Sequence, residues 1–138
     1  MLIVYLHHHS GARHYNNNHS FSPIDNIFLN SAVKDIAYSN GLVYFAKGTG
    51  GVDVYQTEGT LSFSIDDYNY TFDCSMHVPC YLDNYNTSVL ANRIDTFNNK
   101  LAVSDWDDVE ILEWDGENLN ASRSSFMVEH KFLATLDY

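Results

Sequence analysis

The sequence predicts an all-β protein built from two four-stranded antiparallel units, with closure as a sandwich the alternative arrangement. Three observations carry that expectation. Turn signals recur at about the eight-to-twelve-residue spacing of short strands. No segment sustains a helical hydrophobic period. Two stretches, "NGLVYFAKGTGGVDVYQTEGTL" and "NNKLAVSDWDDVEILEWDGENL", share one plan of strands and turns, which marks a repeated supersecondary unit.

Residues 1–31 read in two ways. "LIVYL" resembles a third strand, because Val4-Tyr5 matches Val54-Tyr55, and residues 2–25 would then be the second half of an earlier unit. The Asn-rich and His-rich composition of "HHHSGARHYNNNHSFSP" reads equally as a polar leader. The first full unit spans 32–65. It opens on "AVKDIAYS", where β-branched and aromatic residues favour strand over a short helix. Asn40-Gly41 follows, a dipeptide that tolerates the positive φ of a two-residue hairpin turn. Then come "LVYFA", the glycine turn "KGTGG", the alternating "VDVYQ", a turn at Gly59 and "TLSFSI" as fourth strand.

Residues 66–88 read as an inserted loop carrying Cys74 and Cys80. The second unit, 89–138, repeats the order: "VLANRIDTF", the Asn98-Asn99 turn, "KLAVS", the acidic turn "DWDD", "VEILEW", the Asp115-Gly116 turn and "FMVEHKFLATL". Ile36 and Ile94, 58 residues apart, occupy matching places.

"LAVSDWDDVEILEWDG", with Trp114-Asp115 ending a strand, resembles the WD-repeat family of β-propellers, and "GTGGVDVY" is similar to related extracellular propeller repeats. The resemblance covers roughly 32–65 and 89–137. It implies two propeller-like blades, with part of a third at the N-terminus. The Gly-His pair that often opens a WD repeat is absent from both units. A closed propeller normally needs about four blades or more. The resemblance therefore implies that identical chains or a protein partner complete the ring, and a homo-oligomer is expected.

Charge narrows the function. Seven Lys and Arg stand against 18 Asp and Glu, a formal net charge of −11, which repels nucleic-acid phosphates and anionic lipid. No partner of either kind is expected. Cys74 and Cys80 fit neither a zinc knuckle nor a two-residue redox spacing, and would close a small disulfide loop. Four N-glycosylation sequons, at Asn18, Asn69, Asn86 and Asn120, compare with about two expected by chance in such a composition. Cysteines and sequons together incline towards an oxidising compartment without fixing the location.

Candidate binding residues cluster in the acidic turn. Asp105, Asp107, Asp108 and Glu110 offer hard oxygen ligands of the kind Ca²⁺ takes, although turn chemistry alone accounts for them. Trp106 at the turn's tip and Trp114 could stack on a sugar or anchor a protein contact. His7 and His9 would share a strand face and could chelate a metal, but a solvated histidine tract is the simpler account. Tyr44, Phe45, Tyr55 and Trp114 are core candidates. No nucleophile elbow, phosphate loop or zinc-protease helix appears, and no cofactor is implied. The leading expectation is a non-catalytic binding or assembly module. An oligomeric carbohydrate-binding lectin is the alternative, and an enzyme of unknown type the third reading.

Overall fold

A computed structural model describes residues 3–8, 11–16, 22–28 and 31–127, with side chains described between residues 31 and 122. Every regular element among these residues is a β-strand. Strands β1 (Ile3–His8), β2 (Gly11–Asn16) and β3 (Ser22–Phe28) form a three-stranded antiparallel sheet. The next sheet begins with β4 (Asp35–Ser39), β5 (Leu42–Ala46) and β6 (Val52–Gln56). A separate hairpin follows, formed by β7 (Thr60–Ile65) and β8 (Tyr68–Asp73). The chain then returns as β9 (Cys80–Tyr85), which pairs with β6 and completes a four-stranded sheet in the order β4-β5-β6-β9. The last sheet is a four-stranded meander of β10 (Ala91–Phe97), β11 (Lys100–Asp105), β12 (Asp108–Trp114) and β13 (Leu119–Met127).

The turns form where the sequence places them. Asn40 and Gly41 both adopt positive φ, 52° and 77°, so β4 and β5 meet through the predicted two-residue turn. Asn98 takes φ 55° between β10 and β11. After β12, Asp115 accepts hydrogen bonds from the amides of Asn118 (2.7 Å) and Glu117 (2.8 Å), which hold its carboxyl below the usual carboxylate range.

The two four-stranded sheets share one core. Tyr44, Ala46, Val52 and Val54 from the first pack with Ala91, Ile94, Leu101, Val103, Leu112 and Leu119 from the second. Each large aliphatic side chain buried there contributes about 1.5–3 kcal/mol. The first strands of the two sheets lie side by side. The Ile94 amide donates to Asp35 Oδ2 at 3.0 Å, Thr96 Oγ1 to the Tyr38 carbonyl at 3.4 Å, and Ser39 Oγ to the Asn98 carbonyl at 3.5 Å. These partners stand 59, 58 and 59 residues apart, so the spacing of the repeat reappears as the alignment of β10 on β4. Gly48 and Ala91 exchange backbone hydrogen bonds of 2.8 and 3.0 Å, locking the β5–β6 turn to the start of β10. At the other side β13 approaches β9, and β1 lies beside β4.

The strands depart from the sequence reading in four places. Thr60–Ile65, expected as the fourth strand of the first unit, belongs instead to the β7–β8 hairpin. The fourth strand is β9, inside the segment 66–88 expected to be loop. The physical reason is facial. A strand of that sheet needs apolar residues where it meets the core, and Leu82 and Tyr85 of β9 pack there, whereas Ser62 and Ser64 alternate along β7 on a largely exposed hairpin. In the second unit the fourth strand starts early, at Leu119, because Asp83 Oδ2 receives the Leu119 amide at 2.9 Å. Most of "FMVEHKFLATL" lies outside the described residues. Ile3–His8, read as a third strand, is instead the edge of its sheet nearest β4, the place of a first strand.

Candidate functional site

The acidic turn is built as an anchor. Asp105 is completely buried, and its carboxylate accepts hydrogen bonds from Ser88 Oγ (2.8 Å), the Val89 amide (2.8 Å) and the Leu90 amide. Glu110 accepts the Ser88 amide at 3.0 Å. Together they fix the connection from β9 to β10 against the second sheet. Burial and a hydrogen bond to Glu110 raise the Tyr85 hydroxyl to about 12. At the matching turn of the first sheet the chemistry differs: Lys47 and Asp53, both buried, form an ion pair of 2.8 Å, and Asn84 Nδ2 adds a hydrogen bond to Asp53 at 2.7 Å.

Ligand atoms of Asp105, Asp107 and Asp108 lie within 4.8 Å of one another, so the structure gathers three of the four expected carboxylates, while Glu110 is turned to the Ser88 amide. Three donors already engage Asp105, which makes connecting the sheets its evident task. The two tryptophans are not brought together. Trp106 is 55% exposed in the turn before β12, whereas Trp114 closes the far end of that strand and packs partly against the core. A strand of that length separates them by about 20 Å. His7 lies on β1, where only the backbone is described, and His9 lies outside the described residues. Of the core candidates, Phe45 and Tyr44 are buried, and Tyr55 and Trp114 are half-buried beside the two clusters.

Both faces of the central strands are already covered within one chain. On β5, Val43 and Phe45 are as fully buried as Ala46 on the opposite face, and on β11, Ala102 and Ser104 are as buried as Val103. Among the described residues, the exposed large hydrophobic side chains are concentrated on the β7–β8 hairpin, which sequence reading divided between a strand and a loop.

This hairpin is amphipathic in the simplest way. Residues opposite one another on paired strands share a face, and the register sets Leu61 opposite Phe72, Phe63 opposite Tyr70 and Ile65 opposite Tyr68. All six apolar residues therefore lie on one side. The other side holds Thr60 opposite Asp73, Ser62 hydrogen-bonded to Thr71 through hydroxyls (3.1 Å), and Ser64 Oγ donating to Asn69 Oδ1 (2.5 Å). On the apolar side Phe63 stacks between Tyr70 and Phe72, with ring centroids 5.5 Å apart in each pair. Exposure stays high: Tyr68 70%, Ile65 53%, Phe72 51% and Tyr70 44%. Asp66 and Asp67 make the tip, both at positive φ.

At its base the hairpin is held by a disulfide between Cys74 and Cys80, whose Cα atoms are 5.4 Å apart, which ties the end of β8 to the start of β9. Leu61, Phe72, Val78, Pro79 and Tyr81 surround a cleft of about 280 Å³ beside it. That is just below the range of small-molecule pockets, and suits one or two inserted side chains. Tyr81 continues the apolar surface inward through edge-to-face contacts, 5.5 Å to Tyr55 and from Tyr55 5.5 Å to Phe45. Burial, with Asp53 and Tyr81 adding, pushes the Tyr55 hydroxyl up to about 12. Strict alternation in "TLSFSI" and "YNYTF" on either side of Asp-Asp was the signal that could have revealed the hairpin. No family model matches this chain, no curated protein matches it, and no solved structure matches it.

Proposed function

We propose that the chain is a non-catalytic binding or assembly module, in which stacked, propeller-like sheets form the support and the β7–β8 hairpin with its basal cleft forms the contact surface. The observation that carries this reading is the single exposed face formed by Leu61, Phe63, Ile65, Tyr68, Tyr70 and Phe72. Contiguous apolar patches of this kind on a folded domain mark interaction sites, and tyrosine and phenylalanine are the residues such sites enrich. The disulfide positions the hairpin on a rigid sheet, and pairing of this sort belongs to an oxidising compartment. Propeller kinship is supported by the alignment of β10 on β4 at the spacing of the repeat. A lectin reading would have to stand on Trp106 without Trp114, since the two occupy opposite ends of β12.

A photo-crosslinking residue placed at Tyr68 tests the reading in the native host. Discrete adducts at Tyr68, and none when the same group replaces Glu117, are expected. An adduct of twice the chain mass indicates self-association, and any other discrete mass a separate protein. Adducts at Trp106 but not at Tyr68 would move the site to the acidic turn and overturn the assignment.

A further inference from the structure

The chemistry around the hairpin is one-signed. Between Lys47 and Arg93 the sequence contains no Lys or Arg, while Asp53, Glu58, Asp66, Asp67, Asp73 and Asp83 fall in the same interval. Asp53 is neutralised by Lys47, and Asp83 is engaged by the Leu119 amide. Asp66 and Asp67 at the tip, and Asp73 and Glu58 at the base, are exposed. Acids thus flank the hairpin at both ends, Asp66 and Asp67 at the tip and Asp73 beside the basal cleft on the polar side of the register. From exposures of 40–70% at Phe63, Ile65, Tyr68, Tyr70 and Phe72 and 51% at Tyr81, and about 200 Å² for a whole aromatic side chain, the open apolar area is on the order of 600 Å². That approaches the ~800 Å² each partner contributes to an interface of standard size.

We infer that the hairpin face receives a cationic amphipathic protein segment, one presenting apolar side chains to the Phe63–Tyr70–Phe72 stack and lysines or arginines to the acids at tip and base. This rests on the binding-module reading and narrows its partner. A second copy fits the same face less well, because it would bring another set of flanking acids and another net charge of −11 against the first. An anionic lipid surface is repelled by the same acids. The cleft lined by Val78, Pro79 and Tyr81 accommodates one anchoring side chain of the segment.

The probe is a nine-residue synthetic peptide of alternating Leu and Lys, with the Leu–Glu peptide as its counterpart, titrated by fluorescence anisotropy against the full chain. The Leu–Lys peptide is expected to bind and the Leu–Glu peptide to bind at least tenfold more weakly. Asp66→Asn with Asp67→Asn and Asp73→Asn keeps the turn, since Asn tolerates positive φ, and should weaken binding about tenfold or more. Phe63→Ser with Tyr70→Ser should do the same, with a melting temperature close to that of the parent. Asp107→Asn with Glu117→Gln, acids away from the hairpin, should change the affinity less than twofold. Equal binding of the two peptides, or an equal loss in the Asp107/Glu117 variant, would overturn the inference. So would a dimer that Phe63→Ser with Tyr70→Ser converts to monomer, or hairpin-dependent binding to phosphatidylcholine vesicles. In the dimer case the module reading survives with a second copy as partner. If the hairpin variant alters neither peptide binding nor mass nor vesicle binding, both readings fall.

Discussion

Gly51 has no room for a methyl group. It sits at φ 71°, and a Cβ there would come within 2.2 Å of the Tyr85 carbonyl oxygen and 3.0 Å of the Asn86 Cα, backbone atoms that cannot swing aside. At Gly41, φ 77°, the added atom meets only the flexible end of Glu58. Gly51→Ala should therefore cost more than the roughly 1–3 kcal/mol of a strained turn residue, and Gly41→Ala only the roughly 1–2 kcal/mol of a left-handed backbone, as read from urea unfolding midpoints. Equal costs would contradict the close approach of β9 to the β5–β6 turn. Lys47 offers a second test. Lys47→Met leaves Asp53 buried with Asn84 as its remaining polar partner, and loss of one member of a buried pair costs about 3–5 kcal/mol. Lys47→Met with Asp53→Leu should recover most of that loss. A double variant no more stable than the single one would mean that the pair is not what Lys47 stabilises.

A two-stranded hairpin is marginal in water by itself, so at the scale of the element the question is what keeps β7 and β8 formed. Three cross-strand apolar pairs, two hydrogen-bonded polar pairs and the Cys74–Cys80 bond do so. The bond closes a loop of only six residues' separation, for which the chain-entropy account gives about 2 kcal/mol. Cys74→Ser with Cys80→Ser should accordingly increase amide exchange in residues 60–73 more than in β11, whose backbone lies in the centre of its sheet. If protection falls equally in both, the hairpin is not a separate unit and the disulfide stabilises the whole fold.

For the whole molecule, the tyrosines set an upper pH limit. Burial raises the hydroxyl of Tyr44 to about 12, and burial with Asp53 does the same at Tyr55. Burial and Glu110 act likewise on Tyr85. An unfolded chain ionises these groups near pH 10. Below that pH both states are neutral and stability is insensitive to these groups. Between about pH 10 and 12 only the unfolded state loses protons, so stability falls as pH rises. Urea midpoints should hold between pH 8 and 9.5 and decline by pH 11, with a shallower decline in Tyr44→Phe and Tyr55→Phe. A midpoint constant to pH 11.5 would refute the burial of these hydroxyls in the folded state.

The sequence by itself determined the class and the repeat. Strand periodicity and turn chemistry are local properties, so Asn40-Gly41, the glycine turn after Ala46 and the Asp115-Gly116 turn were legible without a fold, as was the core role of Tyr44 and Phe45. Which strand completes a sheet is not local. β7 read as the strand to follow β6 and β9 as loop, yet the place fell to β9 because Leu82 and Tyr85 could join a core assembled largely by residues of the second sheet. The same logic moved the candidate site. Asp105 looked available for a ligand in the sequence, but its buried position commits its oxygens to Ser88, Val89 and Leu90. Of the hairpin aromatics, Phe63 stood on an expected strand and Tyr68, Tyr70 and Phe72 in an expected loop, and pairing β7 with β8 away from the sheets left their common apolar face in solvent. Exposure is a property of packing between distant segments, and only the tertiary structure decided it.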